Sequence, residues 1–210
     1  DCARLIIDEV QRGYNGAFIV HSQGFDDVRP FTWNGWHEHV RYTYVMDIAD
    51  PDALWDSLER RVRTVIRNAE TSLTLGGAID IGQFSALYER IYGDRGNPPP
   101  VATGVLQSMA GDIVGSGLGE MRTVSDENGD IVSAMILVHD NHAVYAWISG
   151  SVPGENSSGA FSLLFWDAVR RYSASLGKLD MIGANIPSIA FFKKGFAGEL
   201  VPYYVTEYHS

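Results

Sequence analysis

Three strand-like segments joined by two short polar turns restrict the fold of this chain more than any other feature. They occupy residues 119–152 (GEMRTVSDENGDIVSAMILVHDNHAVYAWISGSV), and the turns fall at Asp126–Gly129 and Asp140–Asn141. Turns this short reverse the direction of the chain, so the strands that they join pair in an antiparallel way. The segment therefore predicts the antiparallel part of a sheet.

Segments with helical periodicity lie on both sides of these strands. The clearest runs from Asp50 to Glu70, where Asp50 suits the N-cap and Pro51 the first helical position. Its apolar residues recur every three or four positions and form one face. Other helices are predicted over residues 1–12, 81–92, 102–114, 158–176 with a C-cap at Gly177, and 187–194, and strands over 17–21, 40–48, 72–75, 178–184 and 200–208.

From residue 72 onward the predicted order of elements is β-α-α-β-β-β-α-β-α-β. This order predicts an α/β (α+β) fold with a mixed, largely antiparallel twisted sheet flanked by helices. The expected domain boundary lies near Asp50, where a strand leads into the first strong helix. Residues 1–50 and 51–210 are therefore treated as two parts.

Composition excludes several classes of protein. The 210 residues include one cysteine, Cys2, so an intramolecular disulfide is impossible and a reducing, cytoplasmic setting is expected. No apolar run approaches the ~20 residues that a membrane helix needs, so membrane insertion is not expected. The net charge of −10 argues against a general nucleic-acid coat but allows a local basic surface.

Common motifs for cofactors, metals and nucleophiles are not supported. The glycines of residues 115–120 follow a predicted helix and precede a strand, which is the reverse of a dinucleotide loop. His37 and His39 share one face of an extended segment, but no pattern supplies further zinc ligands, so no metal is expected. A Gly-x-Ser-x-Gly elbow is also absent from the sequence.

Four arginines in the first strong helix form a candidate binding surface. Arg60, Arg61, Arg63 and Arg67 lie within eight residues, and the spacing places Arg60, Arg63 and Arg67 on one face. A basic face of this kind is a reasonable place for a phosphate group or an RNA backbone. The alternative is an ordinary solvated helix face.

Two strand regions supply the other candidates. Tyr145, Trp147 and Ser149 are expected on one strand face, either as core residues or lining a cleft with Tyr145 as a hydroxyl donor or acid. Asp180 lies inside an apolar strand and suits a structural anchor. Asn185 follows the end of that strand, where ligands of open α/β sheets bind, and is the better site candidate.

The chain resembles the FemAB-type branch of the GNAT acyltransferases. The resemblance covers residues 40–210 and rests on the segments LERRVRTVIRNAE, LLFWDAVRRYSASLGKLDMIGAN and FFKKGFAGELVPYY. The matching residues are Arg63, Arg67 and Ala69 in the first segment, Gly177 and Asp180 in the second, and Phe192, Lys193 and Phe196 in the third. Ala197 departs from the pattern because a glycine usually stands there.

The resemblance implies a GNAT-like fold that often occurs as two domains in tandem. Residues 1–50 would then be the remnant of a preceding domain or an N-terminal extension, and 51–210 the acyltransferase domain. The implied reaction moves an acyl or aminoacyl group from acyl-CoA (acetyl-CoA) or aminoacyl-tRNA to a small-molecule or peptide amine, without metal. Expected partners are this amine and, for the second donor, tRNA.

The resemblance also implies roles for particular residues. Lys193 would place positive charge at the oxyanion, and Phe192 would exclude water and aim the lysine. Arg63, Arg67 and Asn185 would hold phosphates of the donor or the acceptor. The general base is open between Glu155, Asp180 and a water molecule.

One departure favours a different function. Acetyl-CoA users often carry a glycine loop with a basic or glutamine residue ahead of the long helix, whereas residues 151–161 read SVPGENSSGAF. This weakens acetyl-CoA as the donor. The alternative is therefore a GNAT-like domain that has lost catalysis and binds only a ligand or a partner.

Overall fold

A computed structural model describes residues 2–77, 79–93, 99, 101–152 and 159–209. Two compact units are present: unit one comprises Asp1–Tyr44, Gly183–Lys194 and Glu199–Ser210, and unit two comprises Val45–Ile182 and Gly195–Gly198. The origin of residues 1–50, as a domain remnant or an extension, stays a prediction.

In chain order, the helices and strands are α1 (Cys2–Gly13), β1 (Gly16–Val20), α2 (Arg29–Thr32), β2 (His37–Asp47), α3 (Pro51–Ser57), α4 (Arg60–Ser72), β3 (Thr74–Gly76), α5 (Ile81–Gly93), α6 (Thr103–Gly115), β4 (Gly119–Ser125), β5 (Ile131–His139), β6 (Val144–Ser151), α7 (Ala160–Tyr172), β7 (Lys178–Asp180), α8 (Pro187–Lys194) and β8 (Glu199–His209). The order from β3 to β8 confirms the predicted one. The short helix α2 lies in a segment for which neither a helix nor a strand was predicted, and Pro30 supports its first turn.

Unit one is built around three strands in the order β1-β8-β2. β1 and β8 pair antiparallel, with Phe18 opposite Glu207. The buried side chains of Ile7, Phe31 and Trp36 form the core, and the rings of Phe31 and Trp36 meet edge to face at 5.3 Å. The edge-to-face contact fixes how these two rings are oriented within the small apolar core.

A buried histidine lies beside this core. The ring of His21 stacks on Phe25 at 4.6 Å between centroids, and its Nε2 is 2.9 Å from the hydroxyl of Thr206. Burial lowers the pKa of His21 below its usual value of 6.5, because the charged imidazolium loses hydration there. The neutral ring is therefore the form that unit one accommodates.

Unit two contains strands in the order β2-β7-β6-β5-β4-β3, and β2 contributes its last three residues. All neighbouring pairs are antiparallel except β6 and β7, which are parallel. A parallel pair needs a long crossover, and α7 supplies it. The predicted mixed, largely antiparallel sheet flanked by helices is confirmed.

Both faces of the sheet in unit two are covered. Residues 132–137 of β5 are buried in succession, which is typical of a strand with packed elements on each side. One face packs against α5 and α6, where Phe84, Leu106 and Ile136 belong to a single apolar cluster. Helix α7 contacts β4, β5 and β6 and is buried along most of its length.

The structure corrects two helix boundaries. The segment predicted as one helix from Asp50 to Glu70 is two helices, because Leu58 and Glu59 are extended, with ψ angles of 145° and 141°. Leu58 is buried, and the Glu59 amide donates to the carbonyl of Gly195 at 3.0 Å. These two interactions offset the lost helical hydrogen bonds.

The second correction concerns the end of α7. The helix ends at Tyr172 with its C-cap at Ser173, so Gly177 is not the cap. The carbonyl of Gly177 instead accepts a hydrogen bond from the Ile48 amide at 2.9 Å. Gly177 therefore lies in the segment that leads directly into β7, and not at the end of the helix.

Replacing Ala197 by glycine should stabilise the protein. Ala197 is exposed and has a φ of 60°, a left-handed conformation that costs an L-residue about 1–2 kcal/mol. Glycine removes this cost but loses about 0.5–1 kcal/mol through its more flexible unfolded chain. We expect Ala197→Gly to raise the free energy of unfolding by ~0.5–1 kcal/mol in urea titrations.

The matched control is Ala86→Gly, an exposed position inside α5. There the same substitution should lower the free energy of unfolding by ~1 kcal/mol. Equal losses at both positions would contradict the argument from backbone strain.

Acidification should destabilise the protein partly through His21. The folded pKa is below the unfolded one, so below pH 6.5 the unfolded state binds more protons and the free energy of unfolding falls. In His21→Gln this contribution is absent, and unfolding titrations across that pH range should show a shallower decline. Parallel curves for the two proteins would mean that His21 does not contribute.

Candidate functional site

The parallel contact between strands β6 and β7 is very short, because β7 ends at Asp180. The described residues show two pairs, Val144 opposite Leu179 and Tyr145 opposite Asp180. β6 continues to Ser151, pairing with β5 on its other side. The side of β6 that faces away from β5 therefore presents backbone N–H and C=O groups beyond the reach of β7, and such an edge suits an extended ligand with amide groups.

A β-bulge in the same stretch corrects one expectation. Ile148 is opposite Ile136 and Ala146 is opposite Leu137, so Trp147 is an extra residue. An extra residue reverses the alternation of side chains beyond it. Tyr145 and Ser149 therefore lie on opposite faces, and the prediction that they share one face with Trp147 is wrong.

The hydroxyl of Tyr145 is engaged at the start of β6. It donates to Oδ2 of Asp140 at 3.0 Å, and the same carboxylate accepts the amides of His142 and Ala143 in the turn before the strand. Burial, followed by the interaction with Asp140, raises the pKa of Tyr145 to about 12. The phenol is therefore protonated at neutral pH and acts as a donor.

Asp180 fixes the backbone where β7 ends. Its Oδ1 accepts the amide of Ile182 at 2.8 Å, and Ile182 has a φ of 45°. A β-branched residue in the left-handed region is strained and needs such support. The contact agrees with the prediction of a structural anchor.

Lys193 performs a related task in unit one. Its side chain is buried, and its ammonium donates to the carbonyl of Gly183 at 2.6 Å. Gly183 has a φ of 72°, so the lysine holds a left-handed turn in the chain that follows β7. Phe192 precedes it in α8 and is half-buried. The catalytic roles expected for Lys193 and Phe192 stay predictions.

Asn185 is also bound to the backbone. Its Oδ1 accepts the amide of Tyr42 at 2.9 Å, and its Nδ2 is 3.3 Å from the Tyr42 carbonyl. The side chain thus completes hydrogen bonds of β2 as a neighbouring strand would. Its predicted phosphate contact is compatible with the remaining donor hydrogen of the amide.

The predicted arginine face lines a pocket in unit two. The pocket has a volume of about 560 Å³ and is lined by Trp55, Asp56, Arg60, Arg63, Thr64 and Arg67. Arg60, Arg63 and Arg67 are brought together as the helical spacing predicted. Arg61 points elsewhere and pairs with Glu59.

Two of the three pocket arginines also hold the helices in place. Arg63 donates from Nη1 to the carbonyls of Trp55 and Asp56 at 3.2 and 2.6 Å, at the end of α3. The guanidinium of Arg67 lies 5.4 Å from the ring centroid of Trp55, a cation–π contact. These contacts fix the positions of the Arg63 and Arg67 side chains at the pocket.

Sequence reasoning missed Trp55 and Thr64 as parts of this pocket. Trp55 enters it only because the chain breaks at Leu58 and turns α3 against α4. The ring of Trp55 also contacts that of Trp166 at 4.7 Å, which joins the pocket wall to α7. A continuous helix gives no signal for Trp55, whereas Thr64, four residues after Arg60 and three before Arg67, could have been predicted from the helical spacing.

The beginning of α7 lies against α4. Gly159 precedes the helix with a φ of 80°, and a Cβ there would approach Val65 Cγ1 to 2.7 Å. Glycine is therefore required both by the backbone angle and by the close packing. Glu155, one of the expected general bases, lies outside the described residues.

Metal sites and membrane helices are not found in the described part of the chain. No group of three or more histidine, cysteine, aspartate or glutamate residues there could hold a metal ion. Among the same residues, every helix is too short or too polar to cross a membrane.

The mixed sheet contains a short parallel pair, β6 and β7, and the helix α7 forms the crossover between them. The sequence profile of the family described as acetyltransferase (GNAT) domain matches residues 56–188, more than half of the chain. The chain therefore belongs to this family. No curated protein sequence matches it.

Solved structures show the same fold at low sequence identity. FemX is similar with a TM-score of 0.74 and 12% identity, over 99% of this chain and 76% of FemX. The C-terminal domain of a putative lysylphosphatidylglycerol synthetase from Agrobacterium fabrum has a TM-score of 0.69 and 10% identity, over 98% of this chain and 71% of that one. A tandem GNAT protein from the clavulanic acid biosynthesis pathway has a TM-score of 0.58 and 13% identity, over 99% and 68% of the two chains. The fold agrees with the expected FemAB-type branch.

Removing Arg63 should weaken the fold as well as the pocket. Arg63→Ala deletes charged hydrogen bonds to two carbonyls at the end of α3, and we expect the free energy of unfolding to fall by ~1–2 kcal/mol. The control is Arg60→Ala, which should change it by less than ~0.5 kcal/mol. If urea titrations give the same value for both variants, Arg63 has no structural role.

Proposed function

We propose that the chain is an N-acyltransferase that moves an acyl or aminoacyl group from a CoA-linked or tRNA-linked donor to an amine. Membership of the GNAT family and the low-identity fold similarity to FemX support transfer of this general kind. The observation that carries the proposal is that β7 ends at Asp180, opposite Tyr145, whereas β6 continues to Ser151. It leaves one side of β6 open to the amide groups of a donor.

The reaction requires few protein groups. The amine nitrogen attacks the donor carbonyl carbon, a C–N bond forms, and the C–S bond of a thioester or the C–O bond of an ester breaks. The attacking ammonium must first lose a proton, and the carbonyl oxygen becomes an oxyanion. Positioned N–H donors or a fixed cation lower the energy of that oxyanion.

The proposed residue roles follow the family resemblance. Lys193 stabilises the oxyanion, and Phe192 keeps water from the ammonium. Tyr145 serves as a hydrogen-bond donor, and because its one O–H is bonded to Asp140 in this structure, the hydroxyl must turn from that carboxylate to reach a substrate. Asp180 supports the end of β7, so a water molecule or Glu155 is the better general base.

The start of α7 is a further proposed place for a donor phosphate, in addition to the phosphate contacts proposed for Arg63, Arg67 and Asn185. A helix N-terminus attracts anions through its N–H groups and dipole. Gly159 is the N-cap, and no side chain there accepts a hydrogen bond from the first turn. Acyl-CoA and aminoacyl-tRNA both carry the phosphate that this position would take.

One observation favours the non-catalytic alternative. Lys193 donates to Gly183, and Asn185 bonds to Tyr42, so both predicted site residues already serve the fold. A domain that only binds a ligand or a partner could retain these residues for stability alone. Comparing Lys193 with its neighbour Lys194 separates the two functions.

Donor binding is the first test. Acetyl-CoA or aminoacyl-tRNA that binds only the folded chain should raise its stability, by ~2.7 kcal/mol at a hundredfold excess over Kd. With the donor so identified, Lys193→Ala should lower kcat for acyl transfer by ~100-fold or more. Lys194→Ala, at an exposed position next to it, should retain the wild-type rate.

A structural role alone would give a different result. Lys193→Ala would then lower the melting temperature, while kcat of the folded fraction would match that of Lys194→Ala. Donor binding without transfer to any amine in the wild type would support the non-catalytic alternative.

A further inference from the structure

We propose that the pocket between α3 and α4 binds two adjacent phosphate groups, with Arg60 as their main ligand. The pocket is lined by three arginines and one carboxylate, Asp56, within a chain of net charge −10. The local balance of +2 suits a dianion. The proposal rests on the proposed function in one respect: the phosphates belong to the donor or the acceptor of the acyl group.

The three arginines differ in how many guanidinium N–H groups they can donate to a ligand. Nη1 of Arg63 donates to two carbonyls of α3, and the guanidinium of Arg67 lies over the ring of Trp55. Each keeps other N–H groups, but its position is fixed by the fold. For Arg60, no side-chain partner is recorded anywhere in the described ranges, and its whole guanidinium fork can turn to a phosphate.

The shape of the pocket points to more than a single phosphate. Arg60 and Arg67 are seven residues apart in one helix, which separates their backbones by about 10 Å along the axis. Two adjacent phosphates can extend along such a row, so that Arg60 and Arg67 each contact one of them. The volume of about 560 Å³ leaves room for the group that carries them, against the ring of Trp55.

Two kinds of substrate carry adjacent phosphates: a nucleotide diphosphate such as the one in coenzyme A, and the backbone of RNA. Guanidinium groups bind the oxygens of both through paired charge-assisted hydrogen bonds. The chemistry of the pocket is the same for each source. The experiment therefore tests first whether the pocket binds phosphates and then which substrate carries them.

The matched variants are Arg60→Ala and Arg61→Ala. Both residues lie in the first turn of α4 and both substitutions change the net charge by the same amount, but only Arg60 lines the pocket. Arg61 pairs with Glu59. A difference between the variants therefore reports the pocket and not the general electrostatic field, which salt screens over about 10 Å at 0.1 M.

Inorganic pyrophosphate is the first probe, measured by calorimetry with the full chain at low salt. Arg60→Ala should raise the dissociation constant about 10- to 100-fold, because a charged hydrogen-bonded contact is lost. Arg61→Ala should change it less than about twofold. Asp56→Asn should lower it several-fold, because the substitution removes the carboxylate from the lining.

Coenzyme A and a short single-stranded RNA are the second and third probes. If Arg60→Ala weakens binding of one of these probes as much as it weakens binding of pyrophosphate, that probe identifies the source of the phosphates. The proposal is overturned if wild type does not bind pyrophosphate at millimolar concentration, if Arg60→Ala binds as wild type does, or if both arginine variants weaken binding equally. Unchanged circular dichroism and melting temperature of Arg60→Ala confirm that the fold is intact.

These results are separable from the proposed function. Pyrophosphate binding needs no acyl transfer, so a chain without transferase activity can still confirm the pocket. Conversely, active transfer that is insensitive to Arg60, together with no pyrophosphate binding, overturns the pocket and leaves the transferase intact.

Discussion

The short parallel contact between β6 and β7 is the constraint on which unit two depends. Parallel strands require a crossover, and α7 is that crossover, buried along most of its length among strands and helices. Among the described residues two pairs join β6 to β7, whereas β6 pairs with β5 from Val144 to Ser151 around the bulge at Trp147. The crossover through α7 thus joins β6 and β7 in one sheet and leaves the later part of β6 without β7 beside it.

Backbone conformations that are normally unfavourable are concentrated just after this contact. Ile182 and Gly183 are both left-handed, and each is held by one polar side chain: Asp180 binds the amide of Ile182, and Lys193 binds the carbonyl of Gly183. Strained positions of this kind persist only where the surroundings determine them strongly. The oxyanion role proposed for Lys193 and its structural contact are therefore not mutually exclusive, since a cation that is held in place is also preorganised.

The sequence predicted the elements that are set by local periodicity. The order from β3 to β8, the N-cap at Asp50 and the common face of Arg60, Arg63 and Arg67 depend on neighbouring residues and were confirmed. The break at Leu58 was not predicted, because it depends on burial of that side chain and on a hydrogen bond from Glu59 to the distant Gly195. The bulge at Trp147 likewise depends on the register with β5, which no single strand encodes.

The close, tilted contact between the rings of Trp55 and Trp166 has an optical consequence. One indole lines the arginine pocket and the other is buried in α7, with their centroids 4.7 Å apart. Two indoles this close couple electronically, and a neighbouring guanidinium perturbs the emission of the outer one. The chain therefore contains a built-in fluorophore at the pocket, and occupancy can be followed through intrinsic fluorescence or near-ultraviolet circular dichroism without attaching a label.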